Sequence, residues 1–422
     1  MKRPVPKPVN PIHSLLFFIM YHIRIIRGTT MKTLILLIPV LCLSYVLDEP
    51  EQLKTNHPLQ SVAENKRLLS SMQSDIRRYF YETPLSSYAF FDKKSADLIS
   101  PALITWAHGD IYLKSLAARD EPSIRPLFNN QKHLHLGDYR YDIFTLLSDL
   151  LLLMQEESDF SDSKERAILG NLIDAYFLRL DNENMHSPYI DDALSHIRQG
   201  DVLSRYTKLK NDKRILNTRI KGVSNPDERQ KKAIKTEMNS YLSGYGLLPI
   251  KGIALDPYGD YLILCEGISE RLHDDIIFTL SAYTLPVSYR VNEKMKKEYW
   301  NKSLFTQIGL ISSSDQKSYA GTVTINQQKF FVDKLSPELR LKPRPDDPCT
   351  YKEYAKALGY TLAGFHSNSD VKTCQDFCQK AKKKVRQRLL KTELISMVYA
   401  YNEILEEEWQ SFNSKRVSIP KQ

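Results

Sequence analysis

The stretch Thr105–Leu150, which runs TWAHGDIYLKSLAARD and then QKHLHLGDYRYDIFTLLSDL, decides how the rest of the chain is read. It holds His108-Gly109-Asp110 after an apolar approach, a second pair Gly137-Asp138, and Asp142 close behind. The nearly pure apolar run Leu146–Met154 follows, with Asp149 inside it. Gly-Asp alone is ordinary turn chemistry, because Gly accepts positive φ and Asp bonds its own backbone. Phosphoryl transfer gives two such pairs a further use. One carboxylate orients or deprotonates the acceptor, and another holds the metal on the phosphates. On composition alone, two plain turns are the simpler reading.

The order of motifs shifts that balance. SSYAFFDK (Ser86–Lys93), GDIYLKSLA (Gly109–Ala117), GDYRYDIFTLL (Gly137–Leu147) and TLAGFHSNSD (Thr361–Asp370) follow one another in this chain. Their succession resembles the bacterial domain of unknown function 2252 family, placed with the protein-kinase-like and aminoglycoside-phosphotransferase-like folds. That family runs S-P-F-x-F-F-R-G, G-D-x-H-x-x-N-F-G, an acidic D-F-D segment ending in W-D-x-x-R-L, and an L-A-x-A-H helix. The similarity covers residues 70–412, and the closing motif matches through Leu362, Ala363 and His366. The resemblance implies an α+β, two-lobed protein-kinase-like fold, helix-rich with a small antiparallel sheet, that uses ATP and Mg2+. Asp110 would be the base and His108 the organiser of its loop. Asp138 or Asp142, with Ser115, would hold the metal.

Departures from the pattern bear on activity. The family's His and Asn after Gly-Asp are Tyr112 and Ser115 here, and a hydroxyl is a poorer metal ligand than the amide. Asp92-Lys93 replaces Arg-Gly. The phosphate-covering loop falls on KGIALDPYGDYLILCEG (Lys251–Gly267), a strand-turn-strand pattern with only Gly252 and Gly259 before its last residue. The next strand, DDIIFTLSAYTLP (Asp274–Pro286), has no lysine, so Lys329 and Lys334 are the positional candidates for phosphate pairing. The candidate loop follows Asp110 instead of preceding it, and the Leu-Ala-x-x-His helix comes near the end, an order that a circular permutation reconciles. The resulting expectation is a fold kept while phosphotransfer is reduced or lost, leaving a binding or scaffolding pseudoenzyme. The alternative is an active ATP- and Mg-dependent phosphotransferase on a small molecule or protein. A secreted hydrolase using Asp110 with Asp138 has no supporting motif, since the chain lacks Gly-x-Ser-x-Gly and His-Glu-x-x-His.

With 422 residues and 42% hydrophobic content the chain can bury one large or two medium cores. Its net charge of +9 is unevenly spread: five charges belong to residues 1–30, one to Lys32, and three remain from Val46 onward. The basicity belongs to the leader, which argues against a nucleic-acid partner. MKTLILLIPVLCLSYV (Met31–Val46) reads as a secretory signal, with residues 1–30 a start-site extension and the body exported. A membrane anchor over residues 12–46 is the competing expectation. Behind the leader, Cys265, Cys349, Cys374 and Cys378 are compatible with disulfides or with buried thiols.

Residues 51–245 read as a helical part with both Gly-Asp motifs, 246–340 as a β-rich lobe, 341–350 as a linker and 351–415 as closing helices. Leu68, Leu69, Met72, Ile76 and Tyr79 give one apolar helical face, ended by Pro84 and Ser86-Ser87. Phe90 and Phe91 are core anchors. Asp149 on a buried helix requires an Arg, a cap or a function. Tyr206–Tyr241 reads as two charged helices broken at Asn225-Pro226, and Val287–Ile311 as helix. Gly321–Leu335 reads as a hairpin turning at Asn326-Gln327.

Overall fold

A computed structural model describes residues 62–100, 102–109, 111–119, 125–128, 133–182, 185, 187–196, 201–211, 213–220, 222–246, 249–256, 259–267, 274–299, 321–337, 339, 341–367, 372–381 and 384–414. The leader and Asp110 lie outside the described residues. Among those described, no helix is long and apolar enough to cross a membrane.

Capping side chains set the first boundaries. Helices α1 (Val62–Ser74) and α2 (Ile76–Glu82) divide at Asp75, whose carboxylate accepts from the Arg78 N–H at 3.0 Å. Pro84 does more than end this stretch. It opens α3 (Pro84–Ser95), where its missing N–H has no helical partner to lose, and Ser86 and Ser87 lie inside that helix. Phe91 is buried, and both Phe90 and Phe91 pack on Phe144.

Strand β1 (Ile104–Ala107) is followed by a short 3-10 turn over Leu113–Ser115, then β2 (Leu116–Arg119), β3 (Arg125–Phe128) and β4 (His135–Asp138). β1 pairs antiparallel with β4, and β2 with β3. Helix α4 (Tyr139–Glu157) buries every residue from Tyr139 to Met154, as its apolar run indicates. Then come α5 (Asp162–Asp181), α6 (Pro188–Ser195) and α7 (Asp201–Tyr206).

The charged stretch expected as two helices is half strand. Its first part forms the hairpin β5 (Thr207–Lys210) and β6 (Lys213–Leu216), turning through Asn211 at φ 49°. Leu216 and Thr207 bury against the body, and that packing overrides the helix propensity of the lysines around them. The second part is helical as expected, α8 (Glu228–Ser243), capped by Asp227.

Strands β7 (Ile250–Leu255), β8 (Tyr261–Cys265) and β9 (Ile276–Ala282) precede helix α9 (Val287–Val291). Residues 293–299 are also helical, and the rest of the helix expected to Ile311 lies outside the described residues. β10 (Gly321–Ile325) and β11 (Gln328–Lys334) form the expected hairpin, with Asn326 and Gln327 both at positive φ. The five strands make one antiparallel sheet in the order β10-β11-β9-β8-β7. α8 covers one face through Ile234, Met238 and Leu242, against Ile263, Phe278 and Val332 among others. Leu203 of α7 and Leu216 of β6 cover the other, against Leu262, Leu264 and Ile277.

The closing helices are α10 (Pro348–Ser367), α11 (Lys372–Ala381) and α12 (Lys384–Ser414). α10 packs along α5. α12 is tied to α4 by Asn402 to Gln155 and to α5 by Tyr399 to Glu165. Alternation along β11 sends Phe330 and Val332 toward α8 and Phe331 the opposite way, onto Trp106, Leu134 and Leu136 of the β1–β4 ribbon. The architecture is thus α+β and helix-rich, with small antiparallel sheets.

Candidate functional site

The register of the β1–β4 ribbon decides where each Gly-Asp pair lies. Ala107 is opposite His135 and Ile104 opposite Asp138. The chain therefore leaves β1 into His108-Gly109 at one end of the ladder, while Asp138 stands at the other, about 10 Å away at ~3.4 Å per residue. Gly109 has φ +73°, and a Cβ there would stand 2.6 Å from His135 Cε1. A Cβ on Gly137 would meet the same ring at 2.7 Å. The glycines of the two motifs thus enclose one buried imidazole. Its Nδ1 donates to the His133 carbonyl at 2.8 Å, so its Nε2 accepts from Ser288 Oγ at 2.7 Å. Burial lowers the His135 pKa below 6.5, against the opposing pull of that carbonyl and of Asp142.

Two carboxylates on α4 hold the loop between β1 and the 3-10 turn. Asp142 and Asp149 are both fully buried and sit two helical turns apart, on one face. Asp142 accepts from the backbone N–H of His108 at 2.7 Å and of Gly109 at 3.0 Å, and from His366 Nε2 at 3.1 Å. His366 Nδ1 in turn lies 2.7 Å from the Tyr176 hydroxyl. Asp149 accepts from the Leu113 N–H at 2.8 Å, from Arg77 Nε at 3.0 Å and from the Tyr81 hydroxyl at 2.9 Å. The partner that Asp149 required is therefore Arg77. Burial pushes the Asp142 carboxyl up, but the His366 hydrogen bond, with the charges of His366 and His108, outweighs it and holds the group below the ordinary range.

His108 lies inside this arrangement. Its ring is buried, 3.9 Å from that of Phe365 and 5.8 Å, edge-on, from that of Phe128. Phe365 of the closing motif thus packs against His108, and His366 reaches the same loop through Asp142. The loop is organised through the His108 backbone, which Asp142 grips.

The other candidates fall elsewhere. Asp138 caps α4 through the Arg140 N–H at 3.1 Å, and Arg140 binds its two oxygens at 3.0 and 2.6 Å. The Ser115 hydroxyl accepts from the Tyr112 N–H at 3.3 Å. Gly252 lies within β7, and Gly259, at φ +85°, lies in the turn to β8. That turn is closed on itself, with Gly259 N–H on the Asp256 carbonyl at 3.2 Å and Asp260 N–H on the Asp256 carboxylate at 2.9 Å. On β11, Lys329 is exposed and shares the ribbon-facing side with Phe331, whereas Lys334 lies on the α8 side. Lys251, on β7, is held by Asp275 at 2.8 Å and Glu266 at 3.2 Å.

Structure thus joins His108 and Asp142, with Asp110 outside the described residues, and does not bring Asp138, Gly252, Gly259 or Lys334 into that cluster. It adds Arg77, Tyr81, His135 and Tyr176. His135 had a visible signal, the echo of His-Gly-Asp in His-Leu-Gly-Asp; Arg77, Tyr81 and Tyr176 sit on ordinary amphipathic helices and had none. Among the described residues no group of three His, Cys, Asp or Glu is arranged around a cation. Cys265 and Cys349 are free thiols, and Cys349 is exposed, contrary to the expectation of a buried one. No protein-family model, curated protein or solved structure matches this chain.

Proposed function

We propose that this chain is a divergent kinase-like protein, related to the domain 2252 family in a permuted order, that serves as a binding or scaffolding module with phosphotransfer reduced or lost. One observation carries the reading. The side-chain oxygens that would hold Mg2+ already accept hydrogen bonds from the protein's own N–H donors. Asp142 accepts from three donors, Asp138 is neutralised by Arg140, and Ser115 caps its turn. The phosphate side agrees. In the β7–β8 turn the Gly259 and Asp260 N–H groups bond Asp256, β9 carries no lysine, and Lys251 is committed to Asp275 and Glu266. Phe128, the strand partner of Leu116, is followed in sequence by Asn129 and Asn130, amides rather than carboxylates. Kinship itself is supported by the five-stranded antiparallel sheet with α8 against it, standing on a Gly-Asp ribbon backed by helices.

The active alternative, with Asp110 as base acting on a small molecule or protein, also has an observation in its favour. Two buried carboxylates hold the backbone on either side of Asp110, and preorganisation of this kind serves catalysis. Thermal shift with ATP, with and without Mg2+, separates the two readings. The proposal expects no Mg-dependent rise in Tm and no transfer of γ-phosphate. A Mg-dependent rise of several degrees that Asp138→Ala abolishes would establish the alternative.

A further inference from the structure

The β5–β6 hairpin concentrates charge that the composition averages away. Residues 205–219, RYTKLKNDKRILNTR, carry six basic side chains and one acid, Asp212. That local excess is larger than the +3 of everything after Val46, so the rest of the body is slightly acidic. The base of the hairpin is anchored: Thr207 and Leu216 are buried, and Arg214 bonds Thr207 at 2.8 Å and faces Asp275 at 3.5 Å. Its tip is not. Lys210 and Lys213 stand directly opposite each other, a like-charge pair that a strand ladder disfavours. Among the described residues no carboxylate comes within ion-pair distance of Lys208, Lys210 or Lys213. Leu209, 62% exposed, projects from the face of β5 opposite to Lys208 and Lys210. Lysines that merely guard a strand edge need no exposed leucine on the strand's other face.

We infer that this hairpin tip is a docking surface for an anionic lipid bilayer. Leu209 enters the headgroup–acyl boundary, while Lys208, Lys210 and Lys213, flanked by Arg205 and Arg219, meet lipid phosphates. Lysine stems lie along apolar material while their ammonium groups stay with the phosphates, so one tip serves both layers of the interface. A single-stranded nucleic acid would call for aromatic stacking platforms, and the exposed apolar group here is aliphatic.

Co-sedimentation with vesicles tests the inference on the full chain, so that the N-terminal apolar stretch contributes equally to every variant. Phosphatidylcholine vesicles containing about one-third phosphatidylglycerol should bind the protein, and phosphatidylcholine alone should bind it far less. Replacing Lys208, Lys210 and Lys213 together by Gln should lower partitioning at least about tenfold. Leu209→Ser should lower it several-fold, and salt near ~1 M should abolish the anionic preference. Leu209, Lys210 and Lys213 are exposed and Lys208 is half-buried, so Tm should hold for Leu209→Ser. If the triple variant melts early, Leu209→Ser and the salt titration decide. Equal binding to both vesicle types overturns the inference, as does undiminished binding by the variants. Lysine-dependent binding to a DNA or RNA oligonucleotide without vesicle binding overturns it in favour of a nucleic-acid surface.

Discussion

Asp142 shows how a single carboxylate can be used up by its own fold. It accepts three N–H donors in a site with no solvent exposure, and its pKa is held below the ordinary range despite burial. A depressed folded pKa stabilises the protein fully above the unfolded value of about 3.9, and that stabilisation is lost as pH falls through the folded value. Asp142→Asn should cost ~3 kcal/mol in urea unfolding at neutral pH, because buried donors from His108, Gly109 and His366 lose a carboxylate acceptor. It should also flatten the acid limb of stability below about pH 4. His135 behaves in the same sense from a higher starting point. Its folded pKa lies below 6.5, so the unfolded chain binds the proton first, and stability falls as pH drops from about 6.5 toward the folded value. Denaturant midpoints of His135→Asn measured at about pH 7 and pH 5 should differ less than those of the wild type; an unchanged slope would refute the assignment.

At the scale of elements, α4 is the clamp. Its apolar faces pack into the body, while Asp142 and Asp149 hold the two ends of the loop from Ala107 to Leu113. Removing Asp149 leaves Arg77 without its buried partner and frees the Leu113 N–H. Asp149→Ala should cost ~3 kcal/mol and speed hydrogen exchange at Leu113 selectively, with little change at the β7–β9 amides. Uniform acceleration across the chain would mean that the helix is merely structural. The β5–β6 hairpin marks where local reasoning broke down. Lys, Arg and Leu favour helix slightly, but only a strand places Thr207 and Leu216 together against the body. The Asn211-Asp212 pair was the available turn signal, and Asn211 does adopt positive φ.

Across the whole molecule, the sheet meets the helical body through Phe331 on the β1–β4 ribbon. Phe331→Ala should cost ~3–4 kcal/mol. The predicted signature is two unfolding transitions in place of one, since the side chain packs the sheet onto the ribbon's apolar cluster. A single transition, lowered without broadening, would show that other contacts carry the coupling.

Much was legible without coordinates because it depends on near neighbours along the chain. The buried α4, the β10–β11 hairpin at Asn326-Gln327, the strands between Ile250 and Ala282 and the closing helices all follow from periodicity and turn chemistry. So did the need of Asp149 for an Arg, a cap or a function, since burial of an unpaired carboxylate is too costly to leave unmet. Pairing and commitment were decided only by the tertiary structure. Asp138 and Asp142 are four residues apart, yet one is taken by Arg140 and the other by His366, which lies on a distant helix. Arg140 is a near neighbour of Asp138, but the partner of Asp142 comes from far along the chain, and one-dimensional spacing does not encode that commitment.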